Sequence, residues 1–79
     1  MRIEFYGVLR EAAGSDHLDV ETAPSVTVGE VLAVLCRRVP ALEGHLPRVA
    51  CAVGDEMVLR GDRLGADQTL ALLPPVSGG

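Results

Sequence analysis

Alternating apolar and polar side chains mark the start of the chain as a strand. Within residues 2–10, Ile3 and Phe5 fall on one face, whereas Tyr6 falls on the opposite face. A period of two residues is the pattern of a strand that is buried on one side. We predict a first strand here, with Gly7 closing it or bending it.

A second alternating stretch covers residues 18–22 and predicts a second strand, antiparallel to the first. Residues 10–14 lie between the two strands and predict a short helical turn or a loop that ends at Gly14. The two strands are therefore joined by a long connection, and a tight hairpin turn is not expected.

The clearest element is a helix that begins after Thr27. Thr27 and Glu30 have the spacing of a capping box, in which each side chain accepts a hydrogen bond from the other residue's backbone N–H. Arg37 and Arg38 complement the negative end of the helix dipole, and Pro40 ends the helix. Apolar side chains follow at helical spacing, at positions 28, 31, 32, 35 and 39.

The second half of the chain predicts three more strands. They cover residues 49–53, 57–59 and 68–73, with turns at 54–56, 61–62 and 65–67. Alternation in the last strand turns Leu70 and Leu72 inward and Leu73 outward.

The element order β-β-α-β-β-β predicts an α+β fold, in which one main helix packs on one face of a mixed sheet of about five strands. The other face is then open, and it carries Tyr6 and Leu73 without cover. If the first and last strands lie side by side, these two side chains form an exposed apolar patch. Such a patch, at the root of the tail described next, favours a docking surface.

Residues 74–79 predict an extended tail attached to a domain of residues 1–73. Pro74 and Pro75 have a fixed φ and lack a backbone N–H, so the chain should leave the last strand in an extended form. At roughly 3.3 Å per residue, the tail reaches about 20 Å from the domain.

The tail continues through Val76 and Ser77 to Gly78 and Gly79, where the sequence ends. Two residues without Cβ allow a main-chain carboxylate to enter a narrow channel. We interpret the tail as a carboxylate offered to another protein's active site. The alternative is a frayed terminus that happens to be rich in glycine.

Composition excludes several classes of function. The net charge is −4, and the arginines are scattered without interleaved aromatic residues, which argues against nucleic-acid binding.

Since the sequence shows neither a signal peptide nor a membrane span, we expect a cytoplasmic protein. Cys36 and Cys51 match no metal or redox motif and are interpreted as free core cysteines.

Nothing in the body of the chain predicts independent catalysis. His17 and His45 are isolated, Ser77 lacks a neighbouring His-Asp pattern, and there is no glycine-rich phosphate-binding loop. We therefore expect no metal and no bound cofactor, and any ATP must be bound by a partner.

Both ends of the sequence resemble one family. Residues 3–14, IEFYGVLREAAG, and residues 72–79, LLPPVSGG, are similar to the small subunit of molybdopterin synthase, the MoaD family. The resemblance covers essentially the whole chain, and the Pro-Pro-Val-x-Gly-Gly terminus is its most specific motif. It implies the ubiquitin-like β-grasp fold of sulfur carriers. The thiamine-pathway carrier also ends in Gly-Gly but lacks the Pro-Pro-Val lead, and ubiquitin-like modifiers share the fold and Gly-Gly alone.

The resemblance implies a mechanism in which the Gly79 carboxylate is the reactive group. An E1-like adenylyltransferase activates it as an acyl-adenylate with AMP, and a sulfur-donor system converts it to a thiocarboxylate. The tail then enters the large subunit of molybdopterin synthase, which holds the active site, in a heterotetramer of two small and two large subunits. Sulfur passes to cyclic pyranopterin monophosphate in molybdenum cofactor biosynthesis. By position, Tyr6 and Leu73 would lie at the large-subunit interface.

Two turns depart from the family pattern. Gly54 stands where many members have Asn, and residues 65–68 read Gly-Ala-Asp-Gln where many have Asp-Gly-Asp-Glu. The departures are compatible with a relative that serves another sulfur acceptor, and two alternatives stay open. One is a general sulfur carrier or protein modifier, serving tRNA thiolation or thiamine or cysteine synthesis. The other is a passive β-grasp interaction module.

Overall fold

The computed structural model describes residues 1–75 and contains two helices, one five-stranded sheet and one two-stranded sheet within them. The strands are β1 (Arg2–Phe5), β2 (His17–Asp19), β3 (Ser25–Thr27), β4 (Ala50–Val53), β5 (Glu56–Val58), β6 (Arg63–Gly65) and β7 (Thr69–Leu73). The helices are α1 (Val8–Ala13) and α2 (Val28–Arg38), with short 3-10 turns at Pro40–Leu42 and Leu46–Arg48.

The five-stranded sheet has the order β2-β1-β7-β4-β5. The first and last strands, β1 and β7, form a parallel pair at its centre, with Ile3 opposite Leu70 and Phe5 opposite Leu72. β2 pairs antiparallel with β1, and β4 pairs antiparallel with β7 and β5. The predicted mixed sheet of about five strands with one main helix on one face is confirmed, and the fold is a ubiquitin-like β-grasp.

α2 forms where the sequence predicts it, because its first turn is capped by side chains. The Thr27 hydroxyl accepts a hydrogen bond from the Glu30 backbone N–H (3.1 Å), and the Glu30 carboxylate accepts one from the Thr27 backbone N–H (2.8 Å). This reciprocal arrangement confirms the predicted capping box. The helix ends at Arg38, before Pro40.

The core lies between α2 and the covered face of the sheet. Inward side chains of the central strands are fully buried there, Phe5 and Leu72 among them, together with Leu35 from α2. Of the two cysteines, Cys51 is buried in this core, whereas Cys36 on α2 is half-buried. Both are free thiols, as predicted.

Several predicted boundaries differ from the structure. The sequence predicts a turn over 54–56 and a strand over 57–59, whereas β5 begins at Glu56 and ends at Val58. The sequence pattern does not predict the ribbon formed by β3 and β6, and it predicts a turn over residues 65–67, although Gly65 belongs to β6. Each of these strands has three residues, too few for alternation to be recognised. The second strand is also shorter than the predicted 18–22, because β2 ends at Asp19.

Candidate protein-binding face at the root of the tail

Tyr6 and Leu73 are brought together by the parallel pairing of β1 and β7. Phe5 lies opposite Leu72, and the Tyr6 backbone N–H donates to the Leu72 carbonyl (3.2 Å), which extends the ladder past the end of β1. Tyr6 is therefore beside Leu73 at the point where β7 ends. The Tyr6 side chain is 42% exposed, and Leu73 is half-buried.

The same end of the sheet carries two further apolar positions. Ala50, the first residue of β4, lies opposite Leu73. Cys51 pairs with Val58 in β5, so continuing that register by one residue places Leu59 opposite Ala50. Leu59 is 73% exposed. Tyr6, Leu73, Ala50 and Leu59 thus form one row across the open face, which we call the tail-end row.

A second row lies immediately below it. Ala71 is flanked by Glu4 on one side and by Ala52 on the other, and Ala52 lies opposite Met57. Met57 is 63% exposed. Small alanines at the centre with larger apolar side chains around them give a shallow surface, which allows a partner's chain to approach the sheet closely. The tail-end row together with Ala52, Ala71 and Met57 is called the apolar face.

The border of the apolar face on the β1 side is polar. Arg2 and Glu4 form an exposed ion pair (3.6 Å between Nε and Oε2). The Tyr6 hydroxyl donates to the Glu4 carboxylate (3.2 Å). This hydrogen bond, and then the negative charge of Glu4, raises the pKa of Tyr6. The phenol therefore stays neutral at physiological pH, and its ring remains available for apolar contact.

Of the large side chains of the apolar face, sequence reasoning identifies Tyr6 and Leu73 and misses Met57 and Leu59. Tyr6 and Leu73 were found from alternation in the first and last strands. Met57 and Leu59 were assigned to a short strand without a facing direction. Alternation along the strand could have identified them, because an inward Val58 requires Met57 and Leu59 to face outward.

The tail begins directly beside this face. Pro74 and Pro75 follow Leu73 and are the last residues that the structure describes. The predicted site residues Val76, Ser77, Gly78 and Gly79 lie outside the described residues.

No metal centre is formed between Met1 and Pro75, where no three His, Cys, Asp or Glu side chains come together. His17 lies on the edge strand β2 and bonds to Asp16 (2.7 Å), a contact that lowers the pKa of Asp16. Across the same residues, neither helix is long and apolar enough to cross a membrane.

Comparison with known proteins places the chain in a family. The model of the ThiS family matches residues 3–79. Small archaeal modifier protein 1 of Haloferax volcanii is 32% identical over 87 aligned positions, which cover 100% of both chains. Its crystal structure has a TM-score of 0.86 at 31% identity and covers 99% of this chain and 97% of its own.

A more distant neighbour shares the fold. It is a complex of subunits 1 and 2 of molybdopterin-converting factor from Helicobacter pylori 26695, with a TM-score of 0.68, 24% identity and coverage of 99% and 96%. The family match and the full-length relative agree with the observed β-grasp fold. The chain therefore belongs to the ThiS family of ubiquitin-like proteins and is a sulfur carrier or protein modifier of that family.

Proposed function

We propose that this protein carries sulfur as a thiocarboxylate on Gly79 and docks on its partners through the apolar face. One observation supports the proposal most directly. The parallel pairing of β1 and β7 puts Tyr6 beside Leu73, one residue before the tail begins. A partner that covers the tail-end row therefore has the tail at the edge of the same interface.

A free carboxylate is a poor acyl donor, so the Gly79 carboxylate must be activated before sulfur can be added to it. The carboxylate attacks the α-phosphorus of ATP and releases pyrophosphate, which gives an acyl-adenylate. Sulfide released by a sulfur donor then attacks the acyl carbon, displaces AMP and gives a thiocarboxylate, whose sulfur is a better nucleophile than a carboxylate oxygen. An activating enzyme must supply the ATP site, since the sequence has no phosphate-binding loop.

For the acceptor, we propose cyclic pyranopterin monophosphate, bound in the large subunit of molybdopterin synthase. Support comes from the Pro-Pro-Val-x-Gly-Gly end and from the resemblance of the whole chain to the small subunit. The Helicobacter pylori neighbour is itself a complex of subunits 1 and 2 of molybdopterin-converting factor. On this proposal the protein is a sulfur-donating subunit, and catalysis takes place on the large subunit.

A second candidate is attachment to other proteins. The full-length identity of 32% to small archaeal modifier protein 1 favours it. The activated Gly79 would be the same acyl-adenylate, but a lysine amine would attack the acyl carbon, release AMP and form an amide. The two functions therefore share the activation step and differ in the acceptor.

The intact mass of the protein, purified from its own host with an N-terminal tag, tests both candidates. A species in which one sulfur replaces one oxygen, mapped to Gly79, supports the carrier. Gly79 found in amide linkage to lysines of other proteins supports the modifier. If neither form is present after reconstitution with an E1-like adenylyltransferase, a sulfur donor and ATP, the proposed function is wrong.

Removing Gly79, or adding one residue after it, should abolish sulfur transfer and leave the fold intact. Both changes displace the reactive carboxylate, whereas the described core is formed by residues between Ile3 and Leu72. Sulfur transfer is measured as dithiolene formation with the large subunit, and the fold by the unfolding midpoint. Ser77→Ala is the matched control, since it changes the tail and keeps both glycines. Full activity of either terminal variant would contradict the proposal.

A further inference from the structure

Gly7 lies where the chain turns from β1 into α1. The Leu9 backbone N–H donates to the Tyr6 carbonyl (3.2 Å) and closes a four-residue turn with Gly7 at its second position. Gly7 has φ 59° and ψ −136°. Side chains are disfavoured at this combination, which is typical of the first central residue of a type II′ turn.

The ring of Pro74 occupies the space that a side chain at position 7 would need. A Cβ added to Gly7 would lie 2.9 Å from Pro74 Cγ and 3.6 Å from Pro74 Cδ. Carbon atoms in contact are about 3.5–4.0 Å apart. The proline ring is therefore packed directly on the Gly7 backbone, and the first of these distances leaves no room for a methyl group.

This contact falls at the last point where the sheet guides the chain. The Tyr6 N–H to Leu72 carbonyl bond is the final bond from the β1 side, and Leu73 is the last residue paired with β4. Pro74 has no N–H with which to continue either ladder, although its φ is fixed. Immediately after Leu73, the Pro74 ring packs on the backbone of Gly7.

We propose that Gly7 is a positioning residue for the tail. By seating the Pro74 ring, it sets the direction in which the residues after Leu73 leave the sheet. The inference rests on the proposed function, because that direction decides whether Gly79 reaches a partner's active site when the apolar face is docked. Docking and delivery are then separate, so a misdirected tail lowers kcat and leaves the KM for the carrier unchanged.

The experiment measures pyrophosphate release by the E1-like adenylyltransferase with ATP and the full-length protein. Gly7→Ala is compared with Gly54→Ala. Gly54 has the same φ of 59°, yet a Cβ added there meets nothing within 4 Å. It lies in the β4–β5 hairpin, at the opposite end of the sheet from Pro74. Alanine is strained at both positions because φ is positive, but only Gly7→Ala also disturbs Pro74.

We expect Gly7→Ala to lower kcat at least tenfold with KM unchanged, and Gly54→Ala to alter either constant less than twofold. Equal kcat values for the two variants would overturn the proposal. A rise in KM as the sole effect of Gly7→Ala would also overturn it, because that result assigns Gly7 to docking.

Pro74→Ala provides a second, independent arm. It removes Cγ and Cδ and leaves a Cβ 3.9 Å from the added methyl group, which is an ordinary contact. Pro74→Ala alone should lower kcat several-fold, and Gly7→Ala should have no further effect on that background. Additive losses would overturn the proposal. If Gly7→Ala does not fold, Pro74→Ala alone tests the proposal. A wild-type kcat for Pro74→Ala would then overturn it.

Failure of the proposed function is recognised separately. If the enzyme does not activate the wild-type protein, the positioning role is decided by the NMR chemical shifts of the Leu73 amide and the Pro74 ring carbons. Gly7→Ala should shift both, and Gly54→Ala should shift neither. Unchanged shifts in Gly7→Ala would overturn the positioning role, whatever the protein carries.

Discussion

The apolar face has small side chains at its centre and large side chains at its two sides. The alanines at positions 50, 52 and 71 lie on the adjacent strands β4 and β7, where larger side chains would hold a partner away from the sheet. Leu59 and Met57 lie at the β5 side, and Tyr6 lies at the β1 side. Large apolar side chains around a shallow centre are suited to act as anchors in a partner's pockets.

Leu59→Asp should weaken binding of the large subunit by about 2 kcal/mol or more, as expected for the loss of an anchor that the partner buries. Leu73→Asp and Tyr6→Asp are expected to have effects of the same size. Ala33→Asp is the matched control, because it adds the same charge on the exposed face of α2. Binding is measured by calorimetry, and unchanged affinity of Leu59→Asp would remove that residue from the interface.

Alternation along single strands was enough to predict the outward direction of Tyr6 and Leu73. It could not predict the packing of Pro74 on Gly7, since that contact joins residues from opposite ends of the chain. Nor could it assign Leu59 to the tail-end row, because the row depends on the register between β4 and β5. Contacts that need register or tertiary packing leave no local signal in the sequence.

Among the elements, α2 was the most predictable, because its signals are all local. The capping box of Thr27 and Glu30, the apolar spacing and Pro40 lie within a single stretch of chain. The β3–β6 ribbon was unpredictable for the opposite reason. It is closed by pairs such as Val26 with Leu64, which are far apart in sequence. Long-range pairing of short strands is decided by the rest of the fold.

The turn between β4 and β5 explains one departure from the family pattern. Val53 pairs with Glu56, so Gly54 and Asp55 are the two loop residues. Gly54 has a positive φ, whereas no residue other than glycine does within residues 1–75. A positive φ at the first loop residue alone is the requirement of a type II′ turn, which glycine satisfies.

The capping box also makes the stability of α2 dependent on pH. Hydrogen bonds from the Thr27 backbone N–H, and then from the Thr27 hydroxyl, lower the pKa of Glu30. A carboxyl group whose pKa is depressed in the folded state contributes stability above its ordinary pKa. That contribution is lost as the pH falls through the folded value.

Wild type should therefore unfold at a higher denaturant concentration than Glu30→Gln at pH 7, and the difference should shrink as the pH falls below about 4. Gln keeps an acceptor for the Thr27 N–H and cannot titrate. Glu56→Gln, an exposed change on β5, is the control. Denaturant midpoints from pH 7 to pH 3 give the comparison, and a difference that is constant with pH would contradict the assignment.

At the scale of the whole molecule, the parallel central pair of β1 and β7 has a mechanical consequence. The two strands run in the same direction, so Met1 and Pro74 lie at opposite ends of the pair. A force that pulls these two points apart makes β1 slide along β7. The hydrogen bonds between β1 and β7 are then loaded in shear and bear the force together. A force between Arg48 and Pro74 instead peels β4 from β7 one bond at a time.

Single-molecule pulling should thus give a higher rupture force between residues 1 and 74 than between residues 48 and 74. Equal forces would show that the parallel pair is not the element that bears the load. On the proposed function, the tail is drawn into the active sites of successive partners, and the pull acts along the direction in which the sheet resists most. The protein could be withdrawn from each partner without coming apart.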